Sequence, residues 1–294
     1  MQIFWRSQSP LGNHDIEDQL RTDIEKALLA IYTCGDEFVV NDTLWFWQNP
    51  KGKIMPTVVN SAKFITGRFQ EFLQNNLSWQ AEKLLDSQEV DGYKEFSGDF
   101  NVFILEEDNF LKLLNAYEVH YGSSSGPIAS AIYMQHCLKV SPVLSEDLIP
   151  LQHFFHQVRQ KIVLRVAVEF ETGNIASSFR AANKLEQLYR QDLIDLGIFI
   201  TSEDKRNCAA RIWPVSNRNG SFQELERRRF AQGLTVPLWL AGFLPDRFDQ
   251  SAPYLADDGT TYMMTPSQEI EQIGTRRYAV FRDIGGQKRL KPLP

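Results

Sequence analysis

The clearest pattern of apolar and polar positions lies in the middle of the chain. Ile162 to Glu171 alternates closely enough to predict a strand. Ile175 to Arg190 then sets Phe179, Ala182, Leu185, Leu188 and Tyr189 at helical spacing. Leu193 to Thr201 is almost continuously apolar, which predicts a second and deeply buried strand. Phe222 to Ala231 reads as a short helix and Val236 to Phe243 as a third strand. Strand, helix, strand in that order implies a crossover unit, and so an α/β fold with a central mixed β-sheet flanked by helices.

The flanks carry weaker patterns. Glu17 to Tyr32 predicts a helix through Leu20, Ile24, Leu28 and Leu29. Residues 58–86 predict one or two more, using Phe64, Ile65, Phe69, Phe72, Leu73, Leu77 and Leu84. Ile104 to Tyr117 is read as mostly helical. Ser145, with Glu146 and Asp147 behind it, resembles a capped helix start running towards Lys161. The expected division is residues 1–250 as the main domain with an N-terminal helical elaboration, and 251–294 as a basic C-terminal extension with one short strand at Tyr278–Phe281.

Composition narrows the class. With 294 residues, 43% hydrophobic and 23% charged, the chain can bury a substantial core. No apolar run approaches a membrane span, and the first residues carry no secretory pattern, so a cytoplasmic setting without membrane contact is expected. Cys34, Cys137 and Cys208 form neither a disulfide framework nor a zinc motif. The net charge of −6 argues weakly against nucleic acid, but the charge is uneven. Lys205 to Arg229 holds seven basic residues against two acidic ones, and Arg276 to Lys291 holds six against Asp283 alone. Solvated faces or a nucleic-acid contact explain such runs equally.

Candidate chemistry sits at Val168-Glu169-Phe170-Glu171-Thr172-Gly173-Asn174-Ile175-Ala176. Glu169 and Glu171 fall on one side of the strand, with Val168 and Phe170 on the other. Two carboxylates this close repel unless a cation or proton lies between them. Mg²⁺ suits such hard oxygens, and the Phe170 carbonyl is a further candidate ligand. Glu171 would then orient or deprotonate a water whose pKa the metal lowers. The following helix start offers free N–H groups to an anion. The candidate is a metal-dependent phosphodiesterase; solvent-facing acids on an edge strand are the plain alternative.

The block Glu169 to Arg180, with Asn183-Lys184-Leu185 and Ile194-Asp195-Leu196, resembles the BamHI-like type II restriction endonucleases of the PD-(D/E)XK superfamily. The likeness returns at Ser216-Asn217-Arg218, Phe222 to Glu226 and Pro237 to Phe243. It implies a restriction-endonuclease-like core, a homodimer and Mg²⁺-dependent cleavage of palindromic double-stranded DNA. These relatives carry Glu where the superfamily usually has Lys, so Glu171 matches a family feature. Glu169 is implied as the metal-binding carboxylate and Glu171 as the residue over the attacking water. Glu82, in a segment resembling a helix, is implied as an outer carboxylate. Asn174, Ala176, Arg180, Asn217 and Arg218 match positions facing the major groove, where Arg suits guanine and Asn adenine. Asn217 stands where the family has Asp, and Ala176 where it has Ser; a central GATC-like core is expected, with the outer base pairs open. Lys184 and Arg227-Arg228-Arg229 are candidate phosphate contacts.

One departure stands out. Gly126-Pro127-Ile128-Ala129 matches a family motif ending in Asp, a catalytic metal ligand, whereas Ala129 has no oxygen to give. Three explanations are open: a deliberate inactivating substitution, a naturally defective enzyme, or an acid from elsewhere such as Asp147. The first is favoured on sequence alone. A DNA-binding protein without cleavage activity and a modification-dependent nuclease are the rival functions.

Overall fold

The computed structural model describes residues 1–105, 109, 112–113, 115–116, 144, 146–173, 175–203, 221–231 and 233–294. The elements run β1 (Gln2–Gln8), α1 (His14–Leu29), β2 (Val39–Val40), β3 (Trp45–Gln48), β4 (Ile54–Thr57), α2 (Ala62–Leu77), β5 (Gln80–Leu85) and β6 (Gln88–Leu105). A 3-10 segment (Glu146–Phe154) leads into β7 (Phe155–Glu171), α3 (Ile175–Arg190), β8 (Leu196–Ser202), α4 (Phe222–Arg227) and β9 (Leu238–Leu244). The chain closes with β10 (Arg247–Phe248), β11 (Tyr254–Leu255), β12 (Thr261–Tyr262), β13 (Thr265–Ile273), β14 (Arg276–Arg282) and β15 (Lys288–Pro292).

Six strands make the main sheet in the order β1-β9-β8-β7-β6-β5. β7, β8 and β9 are parallel, and the outer pairings are antiparallel. The sheet is therefore mixed and flanked by helices, as the central pattern predicts. One face buries Leu20, Ile24, Phe69 and Leu73 of α1 and α2 against Val166, Val168 and Ile198. The other packs Ala182, Leu185 and Leu188 of α3 and Phe222 of α4 against Ala167 and Phe199. Covered on both faces, β8 is buried at every position, which accounts for its unbroken apolar run.

Elsewhere the expected elements shift. Residues 80–85 form the edge strand β5 rather than a helix, and β6 takes in Ile104 and Leu105, while the described residues 109, 112–113 and 115–116 are helical as expected. The helix expected from Ser145 to Lys161 is the short 3-10 segment, after which β7 extends from Phe155. The β6–β7 hairpin is paired from Leu105↔Phe155 to Gly92↔Val168. Long-range pairing thus overrides local helical spacing there. Residues 251–294 hold five strands, not one, and the last three of them lie in the final thirty residues. These three join β3 and β4 in a five-stranded antiparallel sheet ordered β13-β14-β15-β3-β4.

Leu185 is fully buried between α3 and the sheet, with its Cβ close to Gly197. Leu185→Ala is expected to cost about 2–5 kcal/mol by leaving a cavity. Urea unfolding should show a lower midpoint with an unchanged m-value.

Candidate active site

β7 crosses the middle of the main sheet, so its alternating side chains enter two buried faces. Val168 and Phe170 lie in the α1/α2 core, with Phe170 stacked on Phe69 at 4.8 Å between ring centroids. Glu169 turns towards α3. It is only 4% exposed, so the reading of solvent-facing acids on an edge strand does not hold for this residue. Lys184 Nζ, from α3, lies 2.7 Å from Glu169 Oε1 and donates to the Glu89 carbonyl at 2.5 Å. The contact with Glu169 is a close ion pair, made to a carboxylate oxygen shut away from solvent. Burial pushes the Glu169 carboxyl up to about 8 against the pull of Lys184, and the Asp91 and Glu171 carboxylates push it further the same way.

Asp91 is the acid that the sequence analysis does not find. The regular β6–β7 ladder stops at Gly92↔Val168. The Asp91 carboxylate then takes over the next donor on β7, accepting from the Phe170 backbone N–H at 2.7 Å. Its other oxygen accepts from Gln70 Nε2 of α2 at 2.8 Å. Burial raises the Asp91 pKa and these hydrogen bonds oppose the rise; the Glu171 charge adds to it. Gly92 permits the approach, since a Cβ there would sit 3.1 Å from Leu73 Cδ1 and 3.5 Å from Val168 Cβ. The available signal was the period-two run Phe96, Phe100, Val102, all buried, which marks a strand whose start carries Asp91.

Glu171, half-buried at the end of β7, accepts from the Gly173 N–H at 2.5 Å, while its own carbonyl accepts from Thr201 Oγ1 at 2.9 Å. A Cβ on residue 173 would fall 2.6 Å from that carboxylate oxygen, so glycine is what lets the side chain fold back. Glu82 is not on a helix. It is an exposed residue of β5, flanked by the pairings Ala81↔Gly92 and Lys83↔Val90, which put it opposite Asp91. Its φ of 49° lies in the left-handed region that a non-glycine residue seldom enters.

On α3, Ala176, Arg180 and Lys184 recur every four residues and so share one helix face. Ala176 and Arg180 are exposed, and Lys184 ends that row at Glu169. Asn174, Asn217, Arg218 and Ala129, with its Gly126-Pro127-Ile128 context, lie outside the described residues. The arginine cluster on α4 is partly committed, because Glu224 accepts from Arg227 and Arg228 at 2.6 and 2.7 Å. Among the described residues no group of three or more His, Cys, Asp or Glu side chains is arranged to hold a metal ion. The physical reason at this site is plain: Glu171 is turned onto Gly173, and Lys184 stands against Glu169.

Residues 6–236 match the family Restriction endonuclease BamHI. The chain belongs to that family, within the PD-(D/E)XK nuclease superfamily. The resemblance carried by the central block is thereby borne out, as is the α/β core around it. The matched segment contains Asp91, Glu169 and Glu171 and ends just before β9. No curated protein matches the chain. Among the described residues no helix is long and apolar enough to cross a membrane.

The raised Glu169 carboxyl fixes a pH dependence. Between its ordinary value near 4.5 and about 8, the folded chain holds a proton there that the unfolded chain has lost. Stability therefore falls as pH rises through that window and levels off above it. Thermal unfolding of the metal-free protein from pH 5 to 9 should show this decline, and Glu169→Gln should flatten it.

Proposed function

We propose that the protein is a type II restriction endonuclease that binds palindromic duplex DNA as a homodimer and hydrolyses one phosphodiester per strand with Mg²⁺. The observation that carries this reading is the convergence of Asp91, Glu169 and Glu171 at the end of a central strand. Asp91 is fixed there by the Phe170 N–H, and burial together with the Glu171 charge raises both Asp91 and Glu169. Acids held under that mutual repulsion suit a divalent cation, which would take the place of Lys184 at the buried Glu169 Oε1. Asp91, Glu169 and the Phe170 carbonyl are the groups that would hold it. Bound there, Mg²⁺ would acidify water and neutralise charge on the phosphate.

The chain's own groups supply the rest. Glu171, on release from the Gly173 N–H, is the base that orients the attacking water and takes its proton. Lys184 is the resident cation of the site and, moved from Glu169, a contact for the scissile phosphate. The exposed face of α3, through Ala176 and Arg180 with Asn174 at its start, is the base-reading surface, joined by Asn217 and Arg218. Glu82, opposite Asp91 in register, is an outer carboxylate. A palindrome presents two equivalent scissile phosphates, which a two-fold dimer meets symmetrically. With Asp91 supplying the first acid, the chain needs no ligand from residue 129, and an active enzyme is the reading favoured over a disabled variant.

The test is digestion of a complex unmethylated DNA with Mg²⁺, followed by sequencing of the ends. The chain as it stands should give discrete fragments. Asp91→Asn and Glu171→Gln should each slow single-turnover cleavage by roughly 10²–10⁴-fold, while Ala129→Asp should change little. Cleavage by Ala129→Asp alone would restore the disabled-variant reading. Specific binding with no cutting by any form would make the chain a DNA-binding protein.

A further inference from the structure

The small sheet formed by β13-β14-β15-β3-β4 takes no part in the site described above, and β13–β15 lie beyond the family-matched residues. Its charge is opposite to that of the chain. Residues 45–57 and 265–294 carry eight basic side chains and three acidic ones, in a protein of net charge −6. Some arginines and lysines on the main body are held by acids: Arg6 by Glu203, Arg165 by Asp192 and Asp195, Arg190 by Glu186, and Lys94 by Asp23. Others there, such as Lys26, Lys83 and Arg180, enter no ion pair among the described residues, so what sets the small sheet apart is the density of its cations. On the small sheet Lys288 and Arg289 are paired in the same way with Glu271 and Asp283. Arg276, Arg277, Lys291, Lys51 and Lys53 are exposed and, among the described residues, enter no ion pair.

Register groups them. Arg276 and Arg277 open β14 beside the β13 turn, and Lys291 pairs with Ala279 two residues on, so three unpaired cations share one end of the sheet, Arg277 and Lys291 on one face and Arg276 on the other. Lys51 and Lys53 occupy the turn between β3 and β4, towards the other end. Seven-residue β14 sets the ends about 20 Å apart, a span matched by about six base-pair steps of duplex backbone.

The sheet's mounting relates it to the acids. Trp45 and Phe281 pack with Tyr254, Met264 and Val59, and Tyr262 donates to the Val59 carbonyl at 3.2 Å. Ser61, the N-cap of α2, follows directly and is bonded to Leu255. Nine residues on, about 14 Å along the helix, Gln70 reaches Asp91. One rigid helix therefore connects the basic sheet to the acidic cluster.

We propose that this sheet is a second DNA-contacting surface, which grips the phosphate backbone of the duplex flanking the cleavage site through Arg276, Arg277 and Lys291, with Lys51 and Lys53 extending the track. The inference rests on the nuclease reading for its ligand class and places the main contacts, Arg276, Arg277 and Lys291, outside the matched family segment. Phosphate contacts of this kind raise affinity for every sequence and add to the salt dependence, while the cleaved sequence is set elsewhere.

The experiment compares the full chain with Arg276→Gln/Arg277→Gln/Lys291→Gln, first verifying an unchanged melting temperature. Binding in Ca²⁺ is titrated against salt on two duplexes containing the cleaved sequence, one just long enough for it and one extended by two helical turns each side. The unaltered chain should bind the longer duplex more tightly and with a steeper salt slope. The variant should lose about 10- to 100-fold in affinity per protomer and about 5 units of slope for the dimer on the longer duplex, with little change on the short one. Equal affinity and slope for variant and unaltered chain on the long duplex would overturn the sheet contact and leave the nuclease reading intact. Failure of both proteins to bind either duplex would overturn both.

Discussion

The hydrogen bond from the Phe170 N–H to the Asp91 carboxylate is the constraint on which the site depends. A ladder donor at the end of a buried strand must find an acceptor, because leaving it unpaired costs roughly 1–3 kcal/mol. Here the acceptor is a side chain, and it brings its charge within range of Glu169 and Glu171. One bond thus ends the β6–β7 hairpin and assembles the acidic cluster. Gln70 holds the second Asp91 oxygen, so α2 cannot move without disturbing the acids.

Burying carboxylates in this way works against stability, and the fold contains the cost locally. Lys184 reaches in from α3 and partly compensates Glu169, while Glu171 leans on the Gly173 N–H. Neither partner is a permanent one. Each is a hydrogen bond or ion pair that a better ligand can displace. A resting state held by replaceable partners is what a site needs if its charges are to be handed to a cation and a phosphate.

The chain's legibility follows the same division between local and distant causes. β7, α3 and β8 are readable because their periodicity, apolar content and motif all lie within one continuous stretch, and Glu169 and Glu171 come with them. Asp91 is not readable that way. It belongs to β6, seventy-eight positions before Glu169, and only strand pairing brings the two together. The intact Gly126-Pro127-Ile128 string points to Ala129 instead, since a short motif match carries no information about which strand neighbours which. Around Glu82, Leu77 and Leu84 fit helical spacing, while the deciding interaction, pairing with β6, lies outside that window.

The small sheet extends this argument. Its strands come from residues 45–57 and 265–292, segments that share no local pattern and meet only through the Leu290↔Phe46 pairing. Viewed as sequence, the last thirty residues are a basic tail whose charges have no fixed geometry. Folded against β3 and β4, the same residues present cations at set positions on a surface joined to α2. Fixed charges lose little conformational entropy on meeting a rigid polyanion, whereas a flexible tail must be ordered at the moment of binding. Lys288 and Arg289 pair with Glu271 and Asp283 and so build the sheet, while Arg276, Arg277 and Lys291 enter no ion pair among the described residues.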